Sequence, residues 1–151
     1  MKRKLLVLAF VIFGFSVFGN SVFAQKQIEP QIQRDPILEA DASHNLEVAN
    51  QYFKTKKAYK AVLMRFEETF AAYPEFSKMD EFLYLAGMSS FYLSNNKGKQ
   101  KIVSEDEKKK FAPEKLREDA TAYLSQLVEN YPQSQYKNDA QKTLDSLKAK
   151  K

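Results

Sequence analysis

Beyond residue 35 the apolar positions recur at helical spacing almost without interruption. A first helix is predicted from Leu38, Ala42, Leu46, Ala49 and Phe53, opened by Asp35 as cap and Pro36 at its first position. A second carries Tyr59, Val62, Phe66, Phe70 and Tyr73 and stops at Pro74. A third follows through Met79, Phe82, Ala86, Ser90 and Leu93, with Ser77-x-x-Asp80 reading as a capping box. A fourth runs from Pro113 through Leu116, Ala120, Tyr123, Leu127 and Tyr131 to Pro132, and a fifth through Tyr136, Ala140, Leu144 and Leu147. No segment alternates with period two, so the expected class is all-α.

The amino terminus follows another pattern. Met1-Lys2-Arg3-Lys4 precedes an apolar run of 14 residues, Leu5 to Phe18, and Val22 and Ala24 occupy the minus-three and minus-one positions of a cleavage site. This is the layout of a secretory signal peptide, residues 1–24, cut between Ala24 and Gln25. The run falls short of the roughly 20 residues that span a bilayer. The competing reading is an uncleaved anchor. Residues 25–35 are polar and aperiodic, a flexible leader to a helical domain at 36–151. Cleavage removes three of the 24 basic residues and none of the 19 acidic ones, which leaves 21 against 19, a net charge of +2 in place of +5. So modest a charge does not call for nucleic acid. The expected location is periplasmic or secreted, with no stable membrane span once the signal is gone. There is no cysteine to form a disulfide or to carry a lipid.

Two of the predicted helices end alike, in Phe70-Ala71-Ala72-Tyr73-Pro74 and Val128-Glu129-Asn130-Tyr131-Pro132. Upstream, Leu46-x2-Ala49-Asn50-x2-Phe53 with Val62-x3-Phe66 matches Leu83-x2-Ala86-Gly87-x2-Ser90 with Ala120-x3-Leu124, the order of a tetratricopeptide unit. Asn50 to Pro74 spans 24 residues and Gly87 to Pro132 spans 45, so the second unit carries 21 more between its helices. That insertion falls at about residues 94–112, the most polar stretch. Gly87, inside the third helix, predicts close approach of a neighbouring helix.

With these motifs, and with Tyr131-Pro132-x-Ser134-x-Tyr136-x2-Asp139-Ala140 after the last stop, residues 40–147 resemble tetratricopeptide-like proteins of the BamD-like group of envelope proteins, without the lipidation cysteine. The resemblance implies a right-handed stack of antiparallel helix pairs, about two and a half repeats. It also implies a scaffold that holds an envelope protein or peptide segment, linked to outer membrane protein assembly. In such folds the first helix of each pair lines a groove. By repeat position the partner-binding groove comprises Glu47, Gln51 and Lys54 from unit one and Tyr84, Met88 and Phe91 from unit two. The competing reading packs Tyr84, Met88 and Phe91 on the fifth helix.

Candidate chemistry is sparse. His44 is the single histidine and there is no cysteine, so neither a metal site nor a histidine-based triad is expected. The acidic runs Glu67-Glu68 and Glu105-Asp106-Glu107 are sequence neighbours that do not share a helix face, and no glycine-rich phosphate loop exists. We expect no enzyme, no cofactor and no nucleic-acid partner. Two alternatives stand beside the scaffold. One is self-association through the last helix, ending Leu147-Lys148-Ala149-Lys150-Lys151. The other is binding of anionic envelope polymer by the insertion, where residues 97–110 carry six lysines against two glutamates and one aspartate. The plain reading of the insertion is a solvated loop with a short helical turn begun by Ser104-x-x-Glu107. The oligomeric state is not fixed by the sequence.

Overall fold

In the computed structural model residues 34–149 are described; the expected signal peptide at 1–24 and most of the expected leader lie outside them. The first helix, α1 (Pro36–Gln51), starts where the sequence places it. Asp35 Oδ1 accepts from the amides of Ile37 at 2.8 Å and Leu38 at 3.3 Å, and Pro36 needs no acceptor at this position. Its buried stripe is Ala42, Leu46 and Ala49. The chain then widens into a π-helical turn, Tyr52–Lys56, closed by Lys57 in the left-handed region at φ 50°. Both Tyr52 and Phe53 are half-buried at this turn.

The helix α2 (Tyr59–Ala72) packs antiparallel to α1 and stops before Tyr73-Pro74. The third, α3 (Met79–Ser94), is buried nearly all round its circumference, as befits a helix between neighbours: it packs against α2 on one side and against α5 (Pro113–Asn130) on the other. A six-residue helix, α4 (Glu105–Lys110), lies in the insertion, and α6 (Lys137–Lys148) packs on α5 and α3. All helices predicted from the apolar spacing are present, in the all-α, tetratricopeptide-like arrangement of stacked helix pairs.

The equivalence of the two units extends to single hydrogen bonds. After Tyr73-Pro74, Phe76 N donates to Tyr73 O at 3.3 Å and Met79 N to Phe76 O at 3.1 Å. After Tyr131-Pro132, Ser134 N donates to Tyr131 O at 3.0 Å and Lys137 N to Ser134 O at 3.2 Å. The same Tyr-Pro stop therefore builds the same turn twice. Val62, Phe66, Ala86 and Leu124 belong to one buried cluster, and Ala120 is buried as well, each 1 % exposed or less. Phe66 lies where α2, α3 and α5 meet, its ring centroid 5.6 Å from Phe82 and 4.8 Å from Tyr123.

Two expectations need correction. Ser77 and Asp80 do not form a capping box. The cap residue of α3 is Lys78, without a side-chain cap bond. The Ser77 amide donates to the Glu39 carboxylate at 3.2 Å, and Asp80 accepts from Ser134 Oγ at 2.7 Å. A carboxylate brought from α1 outcompetes the local one, so the motif's acid is free to hold the next repeat's turn.

The insertion is not merely a solvated loop. Lys60 of α2, buried despite its charge, donates to Glu107 and to Lys101 O at 3.0 Å and lies 5.7 Å from the centroid of Phe111. Gln100 Oε1 caps the Ala61 amide at 3.2 Å, and Lys110 pairs with Glu67 at 2.7 Å. The Ser104 turn forms as expected, with Glu107 N donating to Ser104 Oγ at 3.1 Å and Val103 N donating to Glu107 Oε2 at 2.9 Å. These bonds hold the Glu107 carboxyl below its ordinary value of 4.5, the Lys60 ammonium contributing most.

Candidate partner-binding face

Regular spacing on α1 puts Ala42, Leu46 and Ala49 inward and leaves Glu47 and Gln51 exposed on the other side; Lys54, on the π turn, is exposed as well. Between α1 and the start of α3 this surface sinks into an open depression of about 610 Å³, walled by Ser43, His44, Glu47 and Lys78, with Leu46 and Asn50 at its base. Asn50 Nδ2 spans the base to Glu81 Oε1 at 2.8 Å and ties α1 to α3. The depression is open and mixed in polarity, a shape that suits a segment of chain lying along the helices better than an enclosed small molecule.

The six groove positions do not form one continuous strip. Glu47, Gln51 and Lys54 are exposed, as a groove requires. Tyr84 is half-buried and stacks on Tyr136, at the start of α6, with centroids 4.7 Å apart and planes 20° from parallel. Burial raises the Tyr84 phenol pKa, with the Asp139 carboxylate adding to it. Met88 is only 8 % exposed, and its Sδ accepts from Thr143 Oγ1 at 3.5 Å. Phe91 is half-buried, its ring 5.8 Å from Tyr92 on the same helix. Tyr84 and Met88 thus pack on the terminal helix, and the part of the strip that stays open lies on α1 and the π turn.

Sequence reasoning missed Asn50, Lys78 and Glu81. The signal that could have found Asn50 is its place: it occupies the position that Gly87 takes in the second unit, at a helix contact where its Nδ2 reaches across to Glu81 while its Oδ1 is buried without a partner among the described residues.

A second open depression lies across α2, where Tyr52, Met64, Glu68 and Lys110 surround Ala61; Met64 is 60 % exposed there. The last helix turns Leu144 and Leu147 into the domain, at 4 % and 7 % exposure, while Asn138, Lys142, Asp145 and Lys148 face outward. Its outer side is the polar cap of a repeat stack. Among the described residues no three His, Asp or Glu side chains gather as a metal site, and no helix is long and apolar enough to cross a membrane.

Compared with known protein families, residues 19–150 match the family model described as YfiO, outer membrane lipoprotein. Neither the comparison with curated proteins nor that with solved structures returned a match.

Proposed function

This chain belongs to the YfiO outer membrane lipoprotein family, and from that premise we propose that it is an exported, non-enzymatic scaffold that holds a segment of a partner protein in the cell envelope, in the service of outer membrane protein assembly. The leader pattern at residues 1–24 supports export, with cleavage after Ala24, and a periplasmic or secreted location. The 151 residues contain no cysteine, the residue on which a lipoprotein carries its lipid.

The observation that carries the proposal is the depression between α1 and α3, braced by the Asn50–Glu81 hydrogen bond. Helices define its walls; Glu47 lines it, and Gln51 and Lys54 are exposed beyond it at the end of α1 and on the π turn. A partner segment laid there would meet the Glu47 carboxylate and the Lys78 ammonium beside Leu46, and would run on from the depression toward Gln51 and Lys54.

Co-purification from envelope extract tests the reading. The intact chain is expected to retain a partner that Glu47→Arg with Gln51→Ala loses, while helical content stays unchanged. Retention of the same partner by that double variant would contradict it.

A further inference from the structure

The two loops at one end of the helix pairs are fastened together. Lys99 N donates to Lys57 O at 3.1 Å, joining the segment after α3 to the turn after α1. Gly98, at φ +121°, lets that segment pass so close that a Cβ there would stand 3.0 Å from the Tyr59 ring and 3.3 Å from Lys57 O. Beneath the loops Phe53, Tyr59 and Tyr92 pack together, with centroids 5.1 to 6.0 Å apart. The result is one platform built from residues 54–57 and 97–101.

That platform carries Lys54, Lys56, Lys57, Lys97, Lys99 and Lys101, all exposed, and neither segment contains a carboxylate. Among the described residues none of the six forms an ion pair. Of the three acids of α4, Glu105 pairs with Lys108 and Glu107 with Lys60, and among the described residues Asp106 forms no ion pair with any of the six lysines. Helix ends attract cations, and this accounts for some lysine after α1 and α3. It does not account for six. The helices α2 and α5 end without a basic residue in their last turns, and their stops continue as Pro74-Glu75 and Pro132-Gln133. The concentration of positive charge is thus particular to this end.

We propose that the platform is an electrostatic seat for an anionic phospholipid surface. Protein partners are held chiefly by aromatic and arginine anchors sunk into desolvated pockets. Here the aromatic rings pack on one another, Lys56 lies 5.4 Å from the Tyr52 centroid and Lys97 5.6 Å from that of Tyr92, and neither depression is lined by any of the six lysines. What remains outward is a spread of hydrated point charges without converging donors. That is the chemistry of attraction to a field of headgroups, and it needs no pocket.

Co-sedimentation of the full chain with vesicles provides the test. Vesicles of phosphatidylcholine and phosphatidylglycerol in equal parts are expected to bind it, more weakly as salt rises, and to bind it more tightly than phosphatidylcholine alone. The variant Lys56→Gln, Lys57→Gln, Lys99→Gln, Lys101→Gln should lose about fivefold in affinity for each lysine removed, while Lys137→Gln with Lys142→Gln should not. Lys2, Arg3 and Lys4 are common to all these chains, so the difference reports the platform. Lys54 is left in place, so partner retention by the α1 face is read separately. Equal binding by the fourfold variant, or a fourfold effect seen with polyglutamate and absent with anionic vesicles, would overturn the proposal.

Discussion

Gly87 of α3 and Leu124 of α5 are packed so closely that a Cβ on Gly87 would stand 2.5 Å from both Cγ and Cδ2 of Leu124. The glycine is there because α5 has to come this near for Leu124 to fill the seam beside Phe66. Leu124 is fully buried and has little room to retreat. Gly87→Ala gains about 1 kcal/mol in helix propensity but is expected to lose about 1–3 kcal/mol to overpacking. Denaturant unfolding should therefore show a destabilised protein, and the loss should shrink in a Leu124→Ala background. Equal losses in both backgrounds would show that the two side chains do not compete for the same space.

The Phe66 ring joins α2 to α3 and α5, so its removal acts on both helix pairs at once. Phe66→Ala is expected to cost about 3–5 kcal/mol. The same substitution at half-buried Phe70 should cost less. Chemical denaturation of the two variants checks the order.

Acid should loosen the insertion before it unfolds the helix pairs. The Glu107 carboxyl is lowered in the folded chain, so its contribution is complete above the ordinary value of 4.5 and is lost as pH falls through the lowered one. Amide exchange across residues 99–111 should accelerate in that acid window while the α3 amides stay protected. Glu107→Gln should remove this acid-dependent step.

Tyr123 behaves oppositely at high pH. Burial, with the Asp119 and Glu67 carboxylates adding to it, pushes its phenol up to about 12. Stability tied to its neutral form is complete below 10 and declines as pH rises toward 12. An ultraviolet titration of tyrosinate should show a late component that Tyr123→Phe removes.

The parts of this fold that were legible in the sequence are those fixed by local chemistry. Asp35-Pro36 and the two Tyr-Pro stops act on their own backbone, and Gly87 announces a close neighbour because nothing else justifies it inside a helix. What could not be read depends on residues far apart in the chain. A lysine one position after Tyr59 reads as solvent-facing until Glu107 and Lys101 arrive from the insertion to surround it. The Ser77 amide looks capped by Asp80 until Glu39 takes it. Tyr84 and Met88 share their periodicity with any exposed stripe; the sequence offers both an open groove and packing on the last helix, and the return of α6 decides for the packing. The π turn at Tyr52–Lys56 leaves no trace in a 3.6-residue pattern.

The central claim, that the α1 side of the repeat stack receives a partner segment, is tested most directly by photo-crosslinking in intact cells. A photoreactive residue at Gln51 should give a defined adduct with a second protein, and one at Lys142, on the outward side of α6, should give none. Adducts from Lys142 with none from Gln51 would contradict the account.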